Sequence, residues 1–205
     1  MNIDTMRAFA KDLAALKWYV AASAALLFAG IALGAGAAGG LGDYLDNQIE
    51  PMRGLAERLD ATDNPQVWMF LFIFLNNFIK SLLVVFLGAL FGIFPLFFLL
   101  TNGMILGYVV AVAGEAGANV TSLVVRGILP HGLLEITAIV IAAAYGLKYG
   151  TLVLSELGRA FRGGGSSASL RAFHGTIKRL VAFLFFALLA AAFIESTITY
   201  FLVRG

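Results

Sequence analysis

From Val67 to Ala113 the chain carries a single charged side chain, Lys80. As one helix this run would be roughly 70 Å long at 1.5 Å per residue, more than twice the ~30 Å hydrocarbon core that a spanning helix has to cross. It must therefore fold as two spans joined by a tight reversal. The reversal belongs at Gly92-Ile93-Phe94-Pro95, because glycine suits a helix end and proline a first helical turn. Helices are expected at 67–91 and 95–114.

Two further apolar runs, 123–148 and 180–203, obey the same logic. A fifth, 18–38, sits behind a head containing Arg7, Lys11 and Lys17. A secretory signal peptide is the competing reading of that first run, and Ala35-Gly36-Ala37 resembles a cleavage site. Its apolar core is nevertheless longer than the roughly 7–15 residues of a signal sequence and long enough to span, which favours an uncleaved anchor. Composition agrees: 60% of the 205 residues are hydrophobic and 13% charged, against about 25% charged in soluble domains, and the mean hydropathy is +0.91. The expectation is an all-α polytopic membrane helix bundle of five transmembrane helices, one domain over 1–205, with the lipid bilayer as its first partner. A net charge of +2 gives no reason to expect a nucleic-acid partner, and the absence of Cys removes disulfides and thiolate metal sites.

Basic residues set the orientation. Arg7, Lys11 and Lys17 mark the head, and Arg159, Arg162 and Arg171 mark the 149–178 loop, with Lys148, Lys178 and Arg179 at its margins. Both regions fall on one side when there are five spans, giving an N-terminus inside, a cytoplasmic 149–178 loop and a C-terminus outside. The 39–66 connection then lies outside, rich in Asp43, Asp46, Glu50, Glu57, Asp60 and Asp63. Within it Tyr44, Leu45, Ile49, Met52, Leu55, Ala56 and Leu59 recur at helical spacing, so 43–62 reads as an amphipathic helix on the membrane or on a partner. Residues 149–162 read as a continuation of the fourth helix, ending at the flexible Gly163-Gly164-Gly165-Ser166-Ser167 stretch. No Gly-Lys-Ser/Thr comes after those glycines, so they are not a phosphate loop.

Polar side chains inside the spans carry the functional argument. Asn76, Asn77 and Lys80 lie in the second, Asn102 in the third, His131 and Glu135 in the fourth and Glu195 in the fifth. Counted inward from the outer helix ends, Asn76, His131 and Glu195 share one depth, and Lys80 and Glu135 lie one turn deeper. Asn76/Lys80 and His131/Glu135 are i, i+4 pairs on shared faces, which makes a Lys80–Glu135 ion pair reasonable. Ionisable groups in hydrocarbon are costly and normally face a bundle interior. Three uses remain open: structural links between helices, a conduit or binding site, and catalysis. Catalysis has the least support, because no HExxH or Gly-x-Ser-x-Gly motif occurs. Zinc normally takes three or four protein ligands, and His131, Glu135 and Glu195 make a marginal set, so neither metal nor cofactor is expected. Pro130-His131-Gly132 interrupts the fourth span, because proline disfavours helix before it and glycine weakens the turn after it. A broken or re-entrant segment is therefore expected near 121–132.

Glycine pairs mark close packing. Gly30 and Gly34, Gly88 and Gly92, and Gly103 and Gly107 each recur at i, i+4, with Gly146 and Gly150 at a membrane margin. Such faces let helix backbones approach each other in lipid, within one chain or between copies in a homo-oligomer.

Phe74-x-Asn76-Asn77 with Gly88 and Gly92 after it, then Thr101-Asn102-Gly103, and above all Leu129-Pro130-His131-Gly132-x-x-Glu135 resemble the stage II sporulation protein M family over about residues 10–203. The resemblance implies a multi-pass protein of a prokaryotic plasma membrane. In sporulating bacteria such a protein works in engulfment, anchoring the D and P proteins that remodel peptidoglycan. It implies a non-enzymatic scaffold that assembles membrane-associated partners and places Asn76, Asn77, Asn102, His131, Glu135 and Glu195 at the family's polar positions without assigning them chemistry. The alternative is a transporter or channel component that moves a small solute, ion or proton through the intramembrane polar cluster.

Overall fold

Pro95 and Gly92 do reverse the chain between two spanning helices in the computed structural model, which describes residues 3–37, 40–163 and 168–199. Among these residues there is no strand. Five helical stretches are long and apolar enough to cross a membrane: Lys17–Ala35, Pro65–Leu87, Ile93–Glu115, Val120–Ala160 and Ala168–Ile198. The five expected spans are thus present; the fourth runs on past 148 as expected, and the fifth begins at Ala168, earlier than the sequence marked. Most of the Gly/Ser stretch, Ala38 and the chain beyond 199 lie outside the described residues.

The head is itself a helix, α1 (Ile3–Ala15), and α2 (Lys17–Ala35) begins almost directly after it. Then come α3 (Gly40–Asp60), α4 (Pro65–Leu87) and α5 (Ile93–Glu115). Pro65 stands at the start of α4, where its missing N–H costs nothing. Between α4 and α5, Phe91 (φ 57°) and Gly92 (φ 78°) take left-handed backbone. Gly92 does so without strain, whereas Phe91 is an unusual residue to hold there.

The fourth span is composite. A short α6 (Val120–Ser122) is capped by Asn119, whose side chain accepts the Ser122 amide at 2.9 Å. A π-helical segment, Leu123–Ile128, leads into the long α7 (Leu129–Ala160). Pro130 accounts for the widening: its ring clashes with the carbonyl one turn back and it offers no N–H. The Leu129 amide accordingly bonds Val124, five residues back. The break expected near 121–132 is a widened turn rather than an interruption. The last span, α8 (Ala168–Ile194), ends in a second π-helical segment, Glu195–Thr199. There the hydroxyls of Ser196 and Thr197 both bond back to the Phe193 carbonyl, a competition that bends helices.

α7 is the centre of the bundle. Ala138 to Gly146 are all buried, the signature of a helix covered on every side, and α2, α4, α5 and α8 all pack on it. Small residues allow the approach. A Cβ on Gly146 would sit 2.5 Å from the Val84 carbonyl oxygen and 2.6 Å from Pro95. One on Gly150 would meet the Gly92 backbone. Elsewhere in the bundle, Gly30 and Gly34 of α2 face Gly103, Met104 and Leu100 of α5, and Gly107 faces Ile31. All four glycine pairs thus make close contacts within one chain.

The two ends differ. At one, Asp12 of α1 accepts two bonds from Arg179 of α8, at 2.7 and 3.0 Å, and Phe9 stacks on Phe183. Tyr19 and Thr151 pair there at 2.9 Å. At the other, α3 lays Gly42, Leu45 and Ile49 against the bundle, and Tyr108 donates to Asp46 at 2.9 Å. The head and the α7–α8 connection therefore share one side and α3 lies on the other.

Candidate functional site

Seven polar residues inside the spans attract attention, and the fold brings them into one region beside the first half of α7. Glu135 is the pivot. Its Oε1 accepts the Asn77 side-chain amide at 2.9 Å, and Asn77 in turn receives a bond from Asn76 at 3.2 Å. That chain of amides ties α4 to α7. Lys80 lines the same cavity as Glu135, but its side chain is exposed and no ion pair within 4.0 Å joins the two among the described residues. The ion pair that matching depth suggested is replaced by the Asn77 link. A long flexible ammonium reaches water more readily than it desolvates beside a carboxylate.

Across from Asn77, α7 turns His131 toward the last span. His131 Nε2 and Glu195 Oε2 are 3.9 Å apart, with the two side chains 13% and 30% exposed. Glu135 joins them. One donor atom each from His131, Glu135 and Glu195 lies within 4.8 Å of the other two. His131 and Glu135 owe this to their i, i+4 spacing, and Glu195 to its position at the start of the second π-helical segment. A set that is marginal in sequence is compact in space.

Asn102 stands on the α5 side, its amide donating to the Phe98 carbonyl at 2.7 Å. Asn102 also lines two cavities. One, of about 380 Å³, is bounded by Asn102, His131, Glu135 and residues of the first π-helical segment such as Gly127 and Ile128. The other, of about 450 Å³, reaches from Glu135, Asn77 and Lys80 to Gln48 and Met52 of α3. Asn102, Ile105, Glu135 and Ile139 line both.

Sequence reasoning did not find that α3 lines the larger cavity: Gln48 resembles any exposed position of an amphipathic helix, and Met52 reads as part of the apolar stripe of that helix. It also missed the Asp12–Arg179 bridge. Thr101 and Ile105 could have been found, since they sit next to, and one turn from, Asn102.

A family model described as Stage II sporulation protein M matches residues 23–200. Neither the curated proteins nor the solved structures give a match.

Proposed function

The chain belongs to that family, and from this premise we propose that it is a membrane-embedded binding protein, a transporter or channel component that receives a small polar or cationic solute inside the bilayer. One observation carries the reading. Two cavities meet at Glu135 and Asn102, and one of them extends to α3 at the membrane margin. A carboxylate fixed by an amide and lining two cavities is poorly explained as mere helix-to-helix glue, for which a single Asn77–Glu135 contact would suffice. The widened turns before His131 and at Glu195 add weight, because π-helical turns cluster at functional sites.

The reading requires water at the cluster. The native chain has no Cys, so Ile105→Cys and Ile139→Cys, which line both cavities, can be probed singly in proteoliposomes with small charged thiol reagents. Modification of both is expected, and Glu135 variants should alter its rate. If neither position reacts while an α3 surface cysteine does, the cluster is dry and the reading fails.

A second reading, a scaffold for membrane-associated partners, draws on a different surface. Asp43, Glu50 and Glu57 lie on the exposed face of α3, while Leu45 and Ile49 of its apolar face are buried against the bundle. In situ cross-linking from that face, abolished by neutralising these three residues, is the expected sign of a docked basic partner. Cross-links that survive neutralisation would remove the scaffold's proposed docking surface.

A further inference from the structure

We propose that His131, Glu135 and Glu195 form an intramembrane binding site for a divalent transition-metal cation of the zinc class. The inference rests on the binding-protein reading above and names the chemical class of its solute.

The donor set is one imidazole nitrogen and two carboxylate oxygens, mutually within 4.8 Å. Three protein ligands with a further position open is the arrangement of zinc sites that exchange water or substrate. A tetrahedral ion with ligands at about 2.1 Å spaces its donors about 3.4 Å apart. The His131–Glu195 separation of 3.9 Å is already close to that, and side-chain rotations of roughly 1 Å would close the rest. His131 and Glu135 share a face of α7 at i, i+4, the spacing by which helices present paired ligands to zinc. Glu195 approaches from another span, so the ion would clamp α7 to the end of α8.

Charge gives the second argument. Two carboxylates face each other within membrane-spanning segments; Lys80 shares a cavity with Glu135, but among the described residues no Lys or Arg comes within 4.0 Å of either carboxylate. Like charges this close cannot both stay ionised without a cation or a shared proton between them. The mixed nitrogen–oxygen set favours zinc, iron, cobalt or manganese over calcium and magnesium, which prefer oxygen alone. Asn77 supports the ion from one bond away: its amide holds Glu135 Oε1 at 2.9 Å and leaves the other oxygen to the metal. Ligands held by such outer contacts bind more tightly. The open position would face the 380 Å³ cavity, which His131 and Glu135 both line.

The experiment uses the full chain in detergent, stripped with a chelator and then dialysed against Zn²⁺ or Co²⁺. One metal ion per chain is expected, with Co²⁺ giving the intense visible absorption of a four- or five-coordinate site. His131→Ala and Glu195→Gln should each weaken binding by about 100-fold or more, and Asn77→Ala by about 10–100-fold. Asp46→Asn, on α3 and bonded to Tyr108 instead, should change nothing. Size exclusion verifies that each variant is folded, and the wild-type Co²⁺ spectrum stands even where a variant is not. Failure of the wild type to retain metal, or retention that survives the His131 and Glu195 substitutions together, overturns the site. In the first case the carboxylates share a proton, and the cysteine-labelling result for Ile105 and Ile139 still decides the cavity reading independently. Metal bound at a dry, unlabelled cluster would uphold the site and overturn the reading it rests on.

Discussion

Replacing Gly107 with Ala tests the close contact on which the α2–α5 pair depends. A Cβ there would lie 2.8 Å from the Ile31 carbonyl carbon and 2.9 Å from the Ala35 nitrogen, and closer still to the Ile31 oxygen. Backbone atoms of a packed helix cannot swing aside as a flexible side chain can, so α2 and α5 must part. A gap of about 0.5–1 Å forfeits a quarter to a half of each dispersion contact along the seam. Overpacking of this kind costs about 1–3 kcal/mol, while alanine's better helix propensity returns at most about 1 kcal/mol. The net expectation is a loss of about 1–2 kcal/mol, or a thermal midpoint lower by about 2–8 °C for a chain of this size. Gly158→Ala and Gly175→Ala are the controls, since a Cβ at either position meets nothing within 4 Å. Only propensity acts there, and the midpoint should rise by a few degrees. The assay is the fraction of detergent-solubilised protein still monodisperse after heating, read by size exclusion. Opposite signs for Gly107 and the two controls support the packing argument, and a shift of the same sign for all three refutes it.

Asn77→Leu should destabilise the fold by about 1–3 kcal/mol, because the partly buried Glu135 carboxylate loses its donor; Lys80→Met, at an exposed position, should stay within about 0.5 kcal/mol, as measured in the same heating assay. Asp12→Asn breaks a partly exposed, two-pronged contact with Arg179 and should cost about 1 kcal/mol or less, freeing α1 to proteolysis at high salt in the wild type and at all salt concentrations in the variant. Single cysteines at Gln48 and at Arg159 should label from opposite faces of the membrane, the first from outside intact cells and the second only after lysis; the reverse pattern would invert the orientation, and labelling of both from one face would break the five-span topology.

The spans were legible because length and apolarity are one-dimensional facts. Val67 to Ala113 cannot cross once, and Gly92 and Pro95 are suited to the reversal. Pairing was not legible. The spacing of Gly30 and Gly34 announces a smooth face, but only the assembled bundle says that the face meets Gly103 rather than Gly88 or a second chain. Rotation about a helix axis explains the misjudged partner of Glu135. Depth counting pairs Lys80 with Glu135, yet Asn77 stands about 60° away from Lys80 around α4, and the assembled bundle presents Asn77 to α7. The docking of α1 had no local signal at all, since Asp12 and Arg179 are far apart in sequence and each resembles an ordinary surface charge. Pro130 announced a disturbance in the fourth span but not its form. The widened turn depends on whether neighbouring helices keep the freed carbonyls covered, which is a tertiary matter.

Local rules are broken here at the places where polar chemistry collects. A helix built only to span has no use for Pro130 beside Gly132, or for two hydroxyls competing for one carbonyl at Phe193. Each feature weakens its own helix, and natural sequences retain such conflicts mainly where a site needs them. The first widens the turn that delivers His131, and the second lies within the turn that carries Glu195. Both residues then face Glu135, which Asn77 already holds from the other side. Three helices thus converge on one carboxylate, and two of them depart from regular geometry where they approach it. Helix-to-helix glue would be served by regular turns and neutral amides. An arrangement that gives up helical regularity to gather two carboxylates and an imidazole within 4.8 Å of one another, with His131 and Glu135 lining a cavity, is the construction expected of a site that binds something positive.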